Sequence, residues 1–313
     1  LFLRNFFALM VFVGIGIAFY RRFIQKTPRL STNAMDRYAL ILLAVIMISG
    51  LFLEAAKIVS FERYSQMVTD YADFDEEQAL KALEALWVRD FGVVSPNHTA
   101  PFDKELLTRG RELHEMSCAS CHSRPQWAFI GYGAALLLRP VALPLDRAGL
   151  VTLLWTIHFL ACFIGLAYLP FSRMFHILAS PLNLLANSVI EMGKSHPANV
   201  ITLQMMALDA CTHCGSCTSR CSVAVIFEEI PNPNILPSEK IASLKRLASG
   251  KPLSEQQLSV IQEGLYLCTN CYRCTSVCPA GINLQELWFH VREAVLKRGY
   301  PELLVLTPFS MYR

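Results

Sequence analysis

Eleven cysteines occur in this chain of 313 residues, and ten of them fall at spacings that few structures use. Cys211, Cys214, Cys217 and Cys221 are separated by two, two and three residues. Cys268, Cys271, Cys274 and Cys278 repeat that spacing, and Pro279 follows the last. In such runs three thiolates wrap one iron–sulfur cube, and in paired runs the fourth cysteine serves the other cube. The expected assignment is one 4Fe-4S cluster on Cys211, Cys214, Cys217 and Cys278, and a second on Cys268, Cys271, Cys274 and Cys221. Disulfides or zinc would leave the four-plus-four pattern unexplained. Ser222 follows Cys221 where a proline follows Cys278, a departure expected to matter little.

A third signature is Cys118-Ala119-Ser120-Cys121-His122, the pattern that attaches a c-type haem. Thiols at i and i+3 add to the haem vinyl groups, and the adjacent His122 binds the iron. The alternatives are a disulfide or a zinc site, for which His98 or His114 would supply a fourth ligand. The distal haem ligand is open among His98, His114, Met67 and a partner's side chain, because Met116 is too close in sequence to reach. The plainer reading of His98 and His114 is that of surface histidines. Cys162 belongs to no motif and reads as a buried apolar side chain.

Composition sets the surroundings of these motifs. The chain is 53% hydrophobic and 17% charged, with a mean hydropathy of +0.37, whereas a soluble domain carries about 25% charged residues. A net charge of +3 is too small to imply nucleic acid. The chain opens on Leu1 and enters an apolar run with no basic n-region or small-residue cleavage site, so its start reads as a truncation. Three segments approach the roughly 20 residues a bilayer crossing needs: Phe6 to Tyr20, Tyr38 to Ala56 and Leu150 to Ala179. The loop after the first holds Arg21, Arg22, Lys26, Arg29 and Arg37, which marks it as cytoplasmic. Residues 60–148, with the haem c motif, are then periplasmic, and the cysteine runs are cytoplasmic. Ala128 to Leu145 is also apolar, but Arg139, Pro140 and Pro144 interrupt it, so it reads as interfacial.

His158 and His176 both fall in the expected third span. Eighteen residues separate them, which is five turns of one helix, so they would share a face about 27 Å apart along the axis. Two b-type haems stacked across a bilayer would need that arrangement. Each alone reads as a satisfied interior or interfacial histidine, but ionisable residues within spans are usually functional.

The run Ile157-His158-Phe159, followed by Leu169-Pro170-Phe171-Ser172-Arg173-Met174-Phe175-His176-Ile177-Leu178-Ala179-Ser180-Pro181, resembles the last transmembrane helix of the respiratory nitrate reductase gamma family. That family includes the cytochrome b subunits of membrane heterodisulfide reductases. The resemblance implies five helices and two bis-histidine haems b, with His158 and His176 supplying two of four iron ligands. The other two would come from two helices upstream or from another chain. Gly110 to Cys118 resembles the first helix of a small cytochrome c, a match that stops after His122. The cysteine runs, with helices expected over Pro237 to Ser249, Ser254 to Leu267 and Gly281 to Lys297, resemble the helical ferredoxin domain of succinate dehydrogenase and of the heterodisulfide reductase C subunit.

The expected fold class is all-α: a transmembrane haem b helix bundle plus a helical 2×4Fe-4S ferredoxin domain. Its segments are 1–59 (two spans and the basic loop), 60–148 (haem c insert), 149–190 (the span with haem b ligands) and 191–313 (di-cluster domain). The implied function is a multi-pass electron-transfer subunit of the cytoplasmic membrane. It would link menaquinone or a periplasmic cytochrome c, through two haems b, to two clusters and a cytoplasmic catalytic partner. Alternatives are a conduit without a quinone site, or a structural anchor. Quinone chemistry in this chain would decide whether it is an enzyme.

Overall fold

The computed structural model describes residues 1–26, 32–72, 74, 76–191, 193–250 and 252–297, so Arg29 of the basic loop lies outside the described residues. Among these residues there are helices and no strands. The chain divides into two compact units, Leu1–Tyr20 with Leu40–Ala167, and Arg21–Ala39 with Tyr168 onward. The expected segments ending at 59, 148 and 190 do not map one to one onto these units.

In the first unit, α1 (Phe2–Phe19), α2 (Ala34–Val59, of which residues 40–59 belong here) and α8 (Leu150–Ala167) are apolar almost throughout. Phe7, Met10, Ile17, Leu153, Phe163 and Leu166 remain exposed on them. Such faces call for an apolar solvent rather than water. Among the described residues, four helical segments are long and apolar enough to cross a membrane: Phe2–Ile24, Ala34–Val59, Phe129–Arg147 and Leu150–Ala167. The third was expected to be too broken by proline to qualify. Its helices α6 (Phe129–Leu138) and α7 (Ala142–Arg147) are joined by a 3-10 turn at Arg139–Val141, and the turn continues the helical path past Pro140.

The α6–α7 segment touches a short stretch of α2. The amides of Ile130 and Gly131 donate to Asn5 Oδ1 at 3.1 Å each, and Gly131 packs on the Glu54 side chain. Ala135 and Ala142 pack with Ala55 and Val59. At the far end, Asp146 accepts from Ser60 Oγ at 2.5 Å and from the Glu62 amide at 2.9 Å.

Between α2 and α6, the helices α3 (Phe61–Tyr71), α4 (Glu77–Leu86) and α5 (Lys104–Ser117) enclose a core of Tyr64, Val68, Leu83, Leu86, Trp87, Phe91, Leu113 and Cys118. Gly110 of α5 lies so close to α4 that a Cβ would stand 2.2 Å from the Ala82 carbonyl oxygen. The cytochrome-like match ends at His122, yet the motif helix is not bare. Its packing partner, α4, comes before it in the chain.

In the second unit, α9 (His176–Val189) packs on α10 (Pro197–Ala210), followed by α11 (Ser216–Ser219), α12 (Pro237–Ala248), α13 (Glu255–Tyr266), α14 (Arg273–Ser276) and α15 (Leu284–Lys297). The helix expected after Ser254 forms, with Ser254 accepting from the Gln257 amide and Gln257 closing the capping box. Trp288, Leu265, Ile282, Leu284 and Ala210 are the most enclosed members of its core.

One expectation is corrected. The chain does not run as a single helix from Leu150 to Ala179. Helix α8 stops at Ala167, two 3-10 turns occupy Leu169–Phe171 and Arg173–Phe175, and α9 begins at His176. Pro170 has no amide hydrogen to continue the ladder and its ring crowds the preceding turn, while Ser172 is extended and caps the next turn through the Met174 amide. The five-turn register between His158 and His176 therefore does not hold.

Candidate redox centres

The two cysteine runs fold into the same loop. In the first, His213 (φ 54°) and Gly215 (φ 79°) are left-handed, and Asn270 (φ 54°) and Tyr272 (φ 66°) occupy the equivalent places in the second. Each loop ends in a short helix, α11 or α14, that carries the third cysteine. Left-handed backbone costs a non-glycine residue about 1–2 kcal/mol, and three of these four residues are not glycine. A repeated strain of this kind is held by its surroundings and marks a functional loop.

The fourth cysteines cross over. Cys221 lines one small cavity with Cys268, Cys271 and Cys274, together with Lys240 and Trp288. Ser222 Oγ donates to Cys271 Sγ at 3.0 Å, which ties the end of the first run to the second. Ser222 was expected to matter little, and it does the opposite. On the other side Cys278 lies near enough to Cys211 to push its thiol up, although burial is the larger cause and takes Cys211 to about 12. Burial, then Cys211 and Cys214, likewise takes Cys217 to about 12. Burial also raises Cys214, but hydrogen bonds from Ser216 and Thr212 together bring it below the ordinary range. Cys271 is lowered first by the Ser222 hydroxyl.

These surroundings fit anionic clusters. Trp288 Nε1 is buried without a partner of good hydrogen-bond geometry among the described residues, and it faces the Cys274 thiol, which burial pushes up and the indole N–H pulls back down. Lys240 is 1% exposed, its Nζ 4.9 Å from the Trp288 ring centroid. Burial pushes its ammonium down and Cys268 and Cys221 push it back up. Arg292 donates through Nη2 to Cys268 O at 2.8 Å and also to Leu265 O.

Beside the first run lies a buried polar group that sequence reasoning missed. Asp36, at the start of α2, pairs with Arg22 (3.2 Å), Arg173 (3.1 Å) and His213 Nδ1 (3.3 Å). His213 Nε2 faces Glu239 at 2.6 Å, and Arg22 donates to the His213 carbonyl at 3.2 Å. The only signal in the sequence was a histidine inside a cysteine run, which spacing alone does not explain. This group joins residues 21–39 to the cluster loops within one unit.

At the haem-type motif, Cys118 is buried at the end of α5, while Cys121 and His122 are exposed. The His122 ring lies 5.2 Å from Trp87, and His114 lies 4.6 Å from Phe91. The His122 ring, although at the surface, is partly desolvated against Trp87, which pushes it down and favours the neutral imidazole that a metal ligand needs. His114 is 9% exposed, with Nδ1 buried and unpartnered among the described residues. It is not the surface histidine expected, because it stands one turn before Cys118 on the face of α5 that meets Phe91.

His158 and His176 share one feature. His158 Nδ1 lies 3.1 Å from the Ile46 carbonyl, and His176 Nδ1 lies 2.6 Å from that of Arg173. A carbonyl only accepts, so both rings carry hydrogen on Nδ1, and Nε2 is the nitrogen left to face a metal, as in metal-binding histidines whose other ring nitrogen donates to a carbonyl. Ser49 Oγ supports His158 at 3.1 Å, and Gly50 makes room for its ring. Cys162 is exposed, not buried, because it lies on a helix whose face is apolar, with Sγ 3.8 Å from His158 Nε2.

Residues 204–282 match the family described as a 4Fe-4S dicluster domain. Over 123 residues the chain is 28% identical to a subunit of the dihydromethanophenazine:CoB--CoM heterodisulfide reductase of Methanosarcina acetivorans, covering 34% of this chain and 30% of that one. It is 26% identical over 104 residues to the Hdr-like menaquinol oxidoreductase iron-sulfur subunit 2 of Archaeoglobus fulgidus, covering 29% and 19%. A longer, weaker likeness, 20% identical over 313 residues, covers 86% of this chain and 37% of the EtfAB:quinone oxidoreductase of Syntrophomonas wolfei. The chain thus spans about a third of the length of the Methanosarcina heterodisulfide reductase polypeptide it matches. No solved structure matches it significantly. The chain is an all-helical protein with a 4Fe-4S dicluster domain and apolar helices able to cross a membrane, similar in its iron–sulfur part to heterodisulfide reductase subunits.

Proposed function

We propose that this chain is a membrane-bound electron-transfer subunit of a respiratory oxidoreductase complex. It carries electrons between menaquinone or a periplasmic cytochrome c, through haems b, and two 4Fe-4S clusters beside a cytoplasmic catalytic partner of the heterodisulfide reductase kind. The observation that carries this reading is that Cys221 of the first run shares a cavity with Cys268, Cys271 and Cys274 of the second, in a chain that also carries helical segments apolar enough to cross a membrane. Cys211, Cys214, Cys217 and Cys278 hold one cluster, and Cys221, Cys268, Cys271 and Cys274 the other. Cys118 and Cys121 bind haem c, with His122 on its iron. His158 and His176 give two haem b ligands through Nε2.

The packing supports a sidedness. Residues 21–39 and the cluster loops share one unit through Asp36, so the basic loop and the clusters lie on one side, the cytoplasmic one by its charge. That requires an even number of crossings between them. The segment Phe129–Arg147 begins beside Glu54 and ends beside Ser60, six residues of α2 or about 9 Å, against the roughly 30 Å of a bilayer core. It therefore lies along the periplasmic interface, and α2 and α8 make the two crossings.

The test is a pyridine haemochrome spectrum with iron and acid-labile sulfide counts on the protein purified in its complex. One haem c, two haems b and eight cluster irons are expected. Absence of haem b overturns the cytochrome b reading and leaves the dicluster domain standing. Reduction of the haems by a menaquinol analogue separates a quinone-linked subunit from a conduit without a quinone site.

A further inference from the structure

The two cysteine loops share a backbone but not a charge environment. Around the first loop, cations are matched by carboxylates. Arg22 and Arg173 both pair with Asp36, His213 lies between Asp36 and Glu239, and Lys245 pairs with Asp209 at 2.6 Å. Around the second, Lys240 lines the cavity with Cys221, Cys268 and Cys274, and among the described residues no carboxylate lines it. Arg292 adds a second cation through its bond to Cys268 O. Among the described residues neither Lys240 nor Arg292 has a carboxylate within ion-pair distance. Ser222 also donates to Cys271 Sγ, and Cys271 is exposed. Cluster potential follows net charge, hydrogen bonds to sulfur and solvent exposure, and adding an electron adds a negative charge that an unpaired buried cation stabilises.

We propose that the buried ammonium of Lys240, assisted by Arg292, sets the potential of the cluster on Cys221, Cys268, Cys271 and Cys274 above that of the cluster on Cys211, Cys214, Cys217 and Cys278. One electron shared by the pair then resides on the second cluster. In that exchange the first cluster is oxidised by one electron, the second is reduced by one, and no bond or proton changes hands. Lys240 is a positioning residue acting by its charge, and the inference rests on the cluster assignments proposed above.

An EPR-monitored redox titration of the full chain in its complex, with dithionite as reductant, tests this. Cys271→Ser identifies the second cluster as the signal that is altered or lost. In the unmodified protein the second cluster should have the higher midpoint. Lys240→Met should lower that midpoint by about 59 mV, a tenfold change in the one-electron equilibrium, and leave the first unmoved. Lys240→Arg should keep it near the unmodified value. A Met variant that binds eight irons with both midpoints unmoved overturns the role of Lys240, and so does a reversed order of midpoints in the unmodified protein. If the Met variant binds fewer than eight irons, the order in the unmodified protein decides alone. Unmodified protein without cubane EPR signals defeats the cluster reading itself, a separate failure.

Discussion

Ser222 and Gly110 each have a role at the scale of a single residue that their neighbours cannot fill. Ser222 follows Cys221 and places its hydroxyl on Cys271 Sγ at 3.0 Å, which a proline, as after Cys278, could not do. A hydrogen bond to a cluster sulfur favours the reduced, more negative state. Ser222→Ala should therefore lower the second cluster's midpoint by less than about 59 mV and leave the first alone, which EPR potentiometry resolves. Gly110 lets α5 meet α4 at backbone distance, where a Cβ would be 2.2 Å from Ala82 O. Gly110→Ala should cost about 1–3 kcal/mol by overpacking, read as a lower denaturation midpoint and less covalent haem per protein. The two iron–sulfur cysteine runs were legible because their chemistry is written in local spacing. Lys240, Arg292, Asp36 and Trp288 were not, because their neighbours at the sites lie far away along the chain.

Among the elements, the contact between α2 and α8 is the most consequential. Helix α2 offers Gly50 for space and Ser49 and the Ile46 carbonyl for the His158 ring. A Cβ on Gly50 would lie 3.0 Å from His158 Cε1, so Gly50→Leu should displace the ring and reduce the haem b α-band, with cluster iron unchanged. Normal haem b with this variant would remove His158 from the ligand set. Helices with end signals were legible: Ser254 and Gln257 announced α13 by their capping box. The break between α8 and α9 was not legible, although Pro170 and Ser172 stand in it. A long apolar stretch hides a stop that depends on one missing amide hydrogen and one side-chain cap.

For the molecule as a whole, sidedness is the property to measure. Single cysteines introduced at Thr99, Ala148 and Gln256, all exposed, can be labelled in intact cells with a membrane-impermeant maleimide, using wild-type labelling as background. Thr99→Cys and Ala148→Cys should react and Gln256→Cys should be protected. Protection at Ala148 would mean that Phe129–Arg147 crosses the bilayer. By itself the sequence determined that this chain holds clusters, which cysteines form each run, that its surroundings are apolar, and where several helices start. Those properties follow from residue type and from neighbours within a turn or two. Only the tertiary structure decided that the Ser222 hydroxyl reaches Cys271 of the second run, that Asp36 ties the basic loop to the first, that the expected third span breaks before His176, and that Lys240 and Arg292 lie beside one cluster site with no carboxylate at ion-pair distance among the described residues. Each of these depends on residues brought together from distant parts of the chain, which no local pattern records.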